Sequence, residues 1–297
     1  MRSPRPLPPS HSGRPFSVAD ALSAGIPSSR LRRSDLRSPF HGVRVPVGAA
    51  GLRAECESYA TRMPETWVFS HTTAARLLGL PLPRRLEREP GVHVTAVGGR
   101  APRGKGVIGH TTVRDPRVWQ TRGLRITAPE RTWADLAPLL TLDELIVVGD
   151  RIVGLPRPPG TPIAMHGAVQ ESAGMRGSLA LADALELVRE GSRSPRETRA
   201  RVALIRAGMP EPALNAEIVL PRRIVHGDLV FREWRTLVEY EGDQHRTDAV
   251  QWSRDLERYN DLVEAGWLVI RVSKSMPSGE VVARVARALH SRGCRAG

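Results

Sequence analysis

The chain is poor in cysteine and has no long apolar run, and both shortages exclude classes of protein. Its two cysteines, Cys56 and Cys294, lie far apart in a chain of 297 residues, so neither a disulfide framework nor the paired spacing of a zinc finger is expected. No run of about 20 apolar residues is present, which excludes a membrane-spanning helix. The first residues, Met1–Pro9, lack the apolar segment of a signal peptide. We therefore expect a cytoplasmic protein with no membrane partner.

The chain has two lysines, Lys105 and Lys274, so arginine carries almost all of its positive charge. The formal net charge is +13. Residues 1–194 hold 27 Arg and Lys against 17 Asp and Glu, whereas residues 195–291 hold 15 against 14. The positive excess therefore lies in the N-terminal part, as expected of a separate region that binds nucleic-acid phosphates. The competing explanation is a high-GC genome, which favours arginine codons.

The length and the placement of proline and glycine predict more than one domain. Residues 1–14 are rich in Pro, Ser and Arg and are predicted to be disordered. The irregular segment 154–177, with its many prolines, is the best linker candidate. Folded regions are predicted at 15–50, 51–153 and 178–291, followed by a short tail at 292–297.

Residues 16–46 alternate between helix and turn signals. Ser17 is predicted to cap a helix that ends at Gly25, and a basic helix is predicted from Ser29 to Leu36, before a strand at 43–46. The candidate DNA-binding residues are Arg30, Arg32, Arg33 and Arg37. Helix, turn, basic helix and strand is the layout of a winged helix-turn-helix. It resembles the small N-terminal domain of abortive-infection antitoxins of the type IV toxin–antitoxin class. A small helical domain whose arginines only face solvent is the alternative.

The chain after Ser194 has the pattern of an α/β domain. Ser194 and Pro195 are typical of a helix start, and Glu197 stands where a capping-box acid belongs. Later elements are predicted as strands at 214–219, 222–231 and 236–241, a helix at 248–265, a strand at 267–272 and a helix at 280–290. This order predicts an α/β/α core. The fold class is therefore α/β, with a mixed α+β middle region.

Two adjacent predicted strands of this domain carry acids. Asp228 lies on the first strand, and Glu239 and Glu241 lie on the second. The period of two puts Glu239 and Glu241 on one face of the strand, and Gly242 ends it. Like charges that converge there raise one another's pKa unless a cation sits between them, and oxygen ligands without thiolates suit Mg²⁺ or Mn²⁺. A merely solvated strand face is the alternative.

Asp228 followed by Glu239-x-Glu241 on two hairpin strands resembles the core of the PD-(D/E)XK nucleases. Over about residues 194–289, the chain more closely resembles bacterial endonuclease-domain proteins related to the very short patch repair endonuclease. That resemblance rests on Val238–Arg246, Arg254-Asp255 and Gly266–Arg271. It implies a restriction-endonuclease-like core and metal-dependent hydrolysis of DNA phosphodiester bonds.

The resemblance also implies roles for single residues. Asp228 and Glu239 would bind Mg²⁺ or Mn²⁺, and Glu197 matches an acid that reaches the metal site from the first helix, with helix capping as its alternative role. The lysine of the motif falls at Glu241, which would bind metal or water or face solvent. His245 is the candidate general acid and base in place of that lysine. The alternative function is a DNA-binding regulator or antitoxin with a degenerate nuclease domain.

Other motifs of the chain are interpreted as structural. Gly99–Gly106 nearly matches a phosphate-binding P-loop, but it lacks the terminal Ser or Thr and leads into a strand. His93 and His110 are interpreted as ordinary strand residues. His71 is interpreted as a helix-start residue.

Overall fold

The structure, a computed structural model, describes residues 5–48, 50–240, 249–273 and 275–295. The chain folds into two compact units. The first contains the chain up to Leu139 together with Gln170–Arg176, and the second contains Leu140–Val169 and the chain from Gly177 onward. Both units combine helices with β-sheet, which confirms the coarse α/β prediction. Within the described ranges, no helix is both long and apolar enough to cross a membrane.

The N-terminal part of the first unit is a small sheet with one short helix. Its elements are β1 (Phe16–Ser17), α1 (Val18–Ser23), β2 (Leu36–Arg37) and β3 (Val43–Pro46). The strands are antiparallel in the order β1-β3-β2. As predicted, Ser17 caps α1, because its Oγ accepts a hydrogen bond from the N–H of Asp20.

The prediction of a basic helix from Ser29 to Leu36 is wrong. Arg30–Arg32 form a single 3-10 turn, and the chain then enters β2. The guanidinium of Arg30 donates to both carboxylate oxygens of Asp35, at 3.0 and 2.6 Å. Residues five apart do not share a helix face, so this pair stabilises the turn rather than a helix.

The described part of the N-terminal tail contacts the first strand. The N–H of His11 donates to the carbonyl of Pro8 at 2.9 Å. The His11 ring is buried, with its centroid 5.1 Å from that of Phe16 in an edge-to-face contact. This contact ties the segment to the first strand, which composition alone did not indicate.

A mixed five-stranded sheet forms the rest of the first unit. Its elements are α2 (Leu52–Ala60), β4 (Trp67–Phe69), α3 (His71–Leu77), α4 (Arg84–Glu87), β5 (Val92–Val97), β6 (Val107–Thr112), β7 (Val118–Thr121), β8 (Leu124–Thr127) and α5 (Pro129–Leu136). The strand order is β6-β5-β4-β8-β7, with β5–β6 and β4–β8 parallel. The core between this sheet and its helices includes Tyr59, Phe69, Val94 and Ile126.

The second unit begins with helices and ends with a four-stranded sheet. Its elements are α6 (Leu142–Val153), α7 (Pro162–Glu171, whose last residues belong to the first unit), α8 (Ser178–Leu187), α9 (Pro195–Arg206), β9 (Ala213–Val219), β10 (Ile224–Phe231), β11 (Thr236–Tyr240), α10 (Ala249–Glu264), β12 (Leu268–Val272) and α11 (Ser278–Ser291). The segment 154–177, predicted as an irregular linker, thus contains α7. The division between the units falls at Leu139 rather than after residue 153, so α6 belongs to the second unit.

Helices cover both faces of the C-terminal sheet, whose strand order is β12-β11-β10-β9. On one face, Phe231 and Val238 pack with Leu204 of α9 and Val285 of α11. On the other face, a smaller cluster that includes Leu237 packs with Leu262 of α10. The sheet is antiparallel except for β11–β12, which is parallel because α10 connects the two strands.

A buried ion pair joins α6 to α9. The Arg201 guanidinium is fully buried and donates to Asp150 Oδ2 at 2.9 Å. The same carboxylate accepts hydrogen bonds from the Thr198 hydroxyl and the Arg189 N–H, both at 2.8 Å. Arg201 also pairs with the more exposed Glu211, at 3.0 Å. Loss of Asp150 would leave the buried guanidinium with that carboxylate alone and would remove an acceptor from the Thr198 and Arg189 donors, which costs far more than breaking an exposed pair.

Asp150→Ala should therefore lower the free energy of unfolding of the second unit by about 3–5 kcal/mol. The matched control is Asp143→Ala, because Asp143 lies on the same helix and pairs with Arg206 while both side chains are about half exposed. The control should cost at most about 1 kcal/mol. Urea denaturation followed by circular dichroism measures both values. Equal losses of unfolding free energy would show that the buried pair stabilises the unit no more than the exposed pair does.

Candidate functional site

Strand β10 changes the face to which its side chains point at Asp228. A Cβ on Gly227 would meet the Leu237 side chain at 2.2 Å, on the face that packs against α10. Leu229 lies two residues further on and packs on the opposite face, towards α9 and α11. Residues two apart share a face in a regular strand. The alternation is therefore broken at Asp228, which lies between the two packed layers.

Strand β9 breaks its alternation at the neighbouring position. Ala216 packs on the α10 face, whereas Leu214 packs on the opposite face. Asn215 between them has a φ of 44°, in the left-handed region that Asn tolerates better than most residues. The ladder pairs Gly227 with Ala216 and Leu229 with Leu214, which places Asn215 opposite Asp228. Both strands thus distort at one pair of polar residues.

The Asp228 carboxylate is half-buried and surrounded by other acids. Its Oδ2 accepts a hydrogen bond from the N–H of Tyr240 at 2.8 Å. The pKa of Asp228 is raised from 3.8 to about 6. Burial is the largest cause, and the negative charges of Glu197 and Glu239 add to it, whereas the Tyr240 N–H and Arg258 act in the opposite direction. Negative charge is therefore crowded at this point of the sheet.

Glu239 lies beside Asp228 on β11 and points towards α10, as the period of two predicts for this strand. Arg258 of α10 binds its carboxylate with both guanidinium nitrogens, one of them 3.1 Å from Oε2. Arg258 also donates to the carbonyl of His226 at 2.6 Å. Both side chains of the pair are mostly buried, at 28% exposure for Arg258 and 19% for Glu239. The structure thus supplies Glu239 with a fixed counter-ion.

Glu197 has the capping role that its position predicts and also lies near Asp228. Ser194 Oγ accepts a hydrogen bond from the N–H of Glu197 at 3.3 Å and donates one to its Oε1 at 2.8 Å. Glu197 Oε2 accepts from the Asn215 side-chain amide at 2.7 Å and from the N–H of Arg193 at 2.9 Å. Glu197 is buried at 5% exposure. It therefore places an ionisable group of α9 against the distorted part of the sheet.

Tyr240 closes this site from the face opposite Glu239. Burial raises the pKa of its phenol to about 12, and the charges of Asp228 and Glu197 add to that increase. The hydroxyl consequently remains protonated at neutral pH and can donate a hydrogen bond.

The structure brings together three of the predicted site residues, namely Asp228, Glu239 and Glu197. Glu241 and His245 lie outside the described residues. Among the residues that the structure describes, the three acids do not form a metal-binding group as tight as the one found elsewhere, in the first unit. The acidic site is therefore a loose cluster of carboxylates around Asp228.

Arg258 and Asn215 are parts of the site that sequence reasoning missed. Arg258 is 19 residues from Glu239 in the chain, on the helix predicted at 248–265. The signal in the sequence was weak, because it consisted of one arginine on the polar side of a helix that follows an acidic strand. Asn215 gave a signal only as a turn-favouring residue inside a predicted strand.

The predicted DNA-binding arginines differ in their surroundings. Arg30 is engaged by Asp35, and its side chain is 10% exposed. Arg32, Arg33 and Arg37 are exposed on the 3-10 turn and on β2. The basic surface of this segment is thus formed by Arg32, Arg33 and Arg37 rather than by a recognition helix.

Comparison with known proteins gives distant relatives. The chain is 27% identical over 228 residues to two uncharacterized proteins of Mycobacterium tuberculosis, one from strain CDC 1551 and one from strain H37Rv. The aligned region covers 73% of this chain and 79% of each relative. No known protein-family profile matches the chain, and no solved structure matches it.

Asp228→Asn should stabilise the metal-free second unit. The folded protein holds the Asp228 proton up to a pKa of about 6, against 3.8 for an unperturbed group, so ionisation costs stability as pH rises from about 4 to about 6 and the full cost remains above that. At 1.36 kcal/mol per pKa unit the cost is at most about 3 kcal/mol. Asparagine keeps an acceptor for the Tyr240 N–H but carries no charge.

Hydrogen exchange of the β10–β11 backbone amides, in the presence of chelator at pH 5 and pH 7.5, measures this effect. The variant should gain about 1–3 kcal/mol at pH 7.5 and less at pH 5. Glu217→Gln is the control, because Glu217 is an exposed acid on the adjacent strand, and it should change neither value. A variant less stable than the parent at pH 7.5 would show that the charge of Asp228 does not destabilise the fold.

Proposed function

We propose that the protein is a divalent-metal-dependent endodeoxyribonuclease with a PD-(D/E)XK-like catalytic core in its second unit. The observation that carries the proposal is the crowding of Glu197 and Glu239 around the half-buried Asp228, whose pKa is raised to about 6. Such desolvated groups of like charge are enriched at functional sites. The sheet with helices on both faces supports a restriction-endonuclease-like arrangement, as does the place of the acids on two neighbouring strands.

The donor set fits Mg²⁺ or Mn²⁺ in its chemistry. Asp228, Glu239 and Glu197 offer oxygen atoms, which hard divalent cations prefer. Asp228 Oδ2 is engaged by the Tyr240 N–H, whereas Oδ1 accepts no hydrogen bond from a described residue. With Arg258 counted, the three acids leave an excess of negative charge that a cation would neutralise. When bound, the ion would polarise the scissile phosphate and favour the ionised form of a water molecule.

The protein's own residues would orient the substrate around this ion. Arg258 fixes the rotamer of Glu239 and holds a positive charge at the same site, where a phosphate oxygen that gains charge would be stabilised. Tyr240 offers a protonated hydroxyl near Asp228. His245 would serve as general acid or base, a role that the absent lysine of the motif leaves open.

The second candidate is a DNA-binding regulator whose nuclease-like unit does not cleave. The bidentate pair of Arg258 with Glu239 favours it, because a carboxylate that already has a counter-ion gains less from binding a metal. The missing lysine favours it too. Both candidates require DNA binding, and cleavage distinguishes them.

If the protein is a nuclease, Asp228→Ala should lower the cleavage rate of labelled DNA by about 10³-fold or more, since a metal ligand carries most of the charge stabilisation of the phosphate. Glu239→Gln should have an effect of similar size, and His245→Ala should lose about 10²–10⁴-fold and leave a trace of activity. Single-turnover assays with Mg²⁺ or Mn²⁺ on duplex, nicked, mismatched and single-stranded DNA provide the measurement.

Glu217→Gln is again the matched control, because it removes an exposed carboxylate from the neighbouring strand and should leave the rate unchanged. Activity in the presence of chelator, or an Asp228→Asn variant as active as the parent, would mean that the site is misassigned. Binding without cleavage of any of these substrates would favour the regulator.

Binding of DNA by the N-terminal segment is tested by the triple variant Arg32→Ala, Arg33→Ala, Arg37→Ala. It should weaken DNA affinity and reduce the slope of log K against log salt by about one unit per lost phosphate contact. The charge-matched control is the triple alanine variant of Arg84, Arg85 and Arg88, which are exposed in the same unit. Equal losses in both variants would indicate an effect of net charge alone, and unchanged affinity in the first would remove this segment from the interface.

A further inference from the structure

Three histidines from three different elements of the first unit meet at one point. His71 is the first residue of α3, His93 lies on β5 and His110 lies on β6. One ring nitrogen of each lies within 4.8 Å of those of the other two. His93 Nδ1 is 2.9 Å from His110 Nε2, and the rings of His71 and His110 are stacked with their centroids 3.7 Å apart. The chain has nine histidines in total, so this convergence uses a third of them.

The outer nitrogens of two of these rings are held by neighbouring oxygen atoms. His93 Nε2 lies 2.9 Å from Glu89 Oε2, and Glu89 is itself held by the Thr72 hydroxyl at 3.0 Å. His71 Nδ1 lies 2.9 Å from Ser70 Oγ. A carboxylate or hydroxyl behind a histidine fixes its tautomer and ring orientation, which is the usual outer layer of a histidine metal site.

The same contacts direct the remaining nitrogens towards one another. Because Glu89 accepts the proton of His93 Nε2, His93 Nδ1 carries the lone pair that faces His110. In His71, the nitrogen not engaged by Ser70 is Nε2. His93 Nδ1 then accepts the hydrogen bond from His110 Nε2, and the nearest nitrogen of His71 lies within 4.8 Å of both. A cation bound by these nitrogens would take the place of the shared proton, which His110 would carry on Nδ1 instead.

The surroundings of the three rings disfavour their protonated forms. Burial lowers the pKa of all three, and their proximity lowers the pKa of His71 and His110 further, that of His110 to about 4. Glu89 and Asp135 add negative charge nearby, although Asp135 is paired with Arg131 at 2.8 Å.

The backbone at His71 gives an independent indication. Its φ is 48°, in the left-handed region that side-chain-bearing residues rarely adopt. Such conformations cost about 1–3 kcal/mol and cluster at functional sites. Here the conformation lies at the start of α3, where it brings the ring of His71 against that of His110.

We propose that His71, His93 and His110 form a binding site for one divalent transition-metal ion, with Zn²⁺ the best match. Three imidazole ligands suit Zn²⁺ better than Mg²⁺ or Ca²⁺, which prefer oxygen. Tetrahedral bonds of about 2.0–2.1 Å place ligand nitrogens about 3.3 Å apart, so the His93–His110 contact of 2.9 Å would open by a few tenths of an ångström on binding. The His71 ring, which is stacked on that of His110, would turn to direct its nitrogen at the ion. His71 and His110 are partly exposed, which leaves the fourth ligand position to water or to a small anionic substrate.

Metal titration of the full-length protein tests the site. After treatment with chelator, the protein should bind one Zn²⁺ per chain by calorimetry and one Co²⁺ with the visible absorption of a tetrahedral nitrogen site. No thiolate charge-transfer band should appear, since Cys56 and Cys294 are not ligands. His71→Asn, His93→Asn and His110→Asn should each abolish binding, and Glu89→Gln should weaken it about 10–100-fold.

Two controls keep the result interpretable. His166→Asn changes an exposed histidine of α7 and should bind like the parent, as should Asp228→Asn, which separates this site from the acidic site. His110 is more exposed than His93, the other histidine of the site that lies on a strand. His110→Asn should therefore keep the parent's hydrogen-exchange protection in β5. Zn²⁺ should raise the melting temperature of the parent but not of this variant. Absence of binding by the parent, or equal binding by His110→Asn, would overturn the proposal.

Discussion

The buried pair of Arg201 with Asp150 is the interaction on which the candidate acidic site depends. It fixes α9 against α6, with neither side chain more than 1% exposed. Helix α9 carries Glu197 four residues before Arg201, and the same end of the helix is fixed by Ser194. A shift of α9 would therefore move Glu197 relative to Asp228. Arg201 Nε is buried without a partner among the described residues, so the network is not optimised for stability alone. A buried ion pair of this kind is expected where the position of a helix matters more than a net gain in stability.

The crowding of negative charge at Asp228 is a cost to the fold that the sheet does not relieve by itself. The broken alternation at Asn215 and Asp228 keeps these side chains out of both apolar layers, and the positive φ of Asn215 adds strain. Natural proteins retain strained and like-charged residues mainly where function uses them. Arg258 offsets the charge of Glu239, but it leaves the pKa of Asp228 raised. The unrelieved negative charge at Asp228 is the physical reason for proposing a catalytic role there.

Local signals in the sequence predicted the C-terminal unit better than the N-terminal one. Ser194 and Pro195 start a helix as expected, and the order of helices and strands after them is confirmed. The period of two gave the correct face for Glu239, because burial of Leu237 enforces it. The helix expected at residues 29–36 is instead a single 3-10 turn, which a bidentate pair between Arg30 and Asp35 stabilises. Arg258 and the three histidines could not be predicted, since each contact joins elements whose pairing only the tertiary fold decides.

The two proposed metal sites differ in the chemistry of their donors. Around Asp228 the donors are carboxylate oxygens, with a raised pKa that reflects unrelieved negative charge, and hard cations such as Mg²⁺ relieve it best. Around His93 the donors are imidazole nitrogens, which favour a softer ion and hold Mg²⁺ poorly. The His93 ligand is backed by Glu89, whereas Glu239 is backed by a cation, Arg258. A carboxylate behind a ligand strengthens its bond to a metal, and a guanidinium on a ligand competes with the metal. As proposed, the histidine site would retain its ion, and the acidic site would bind its ion weakly and exchange it.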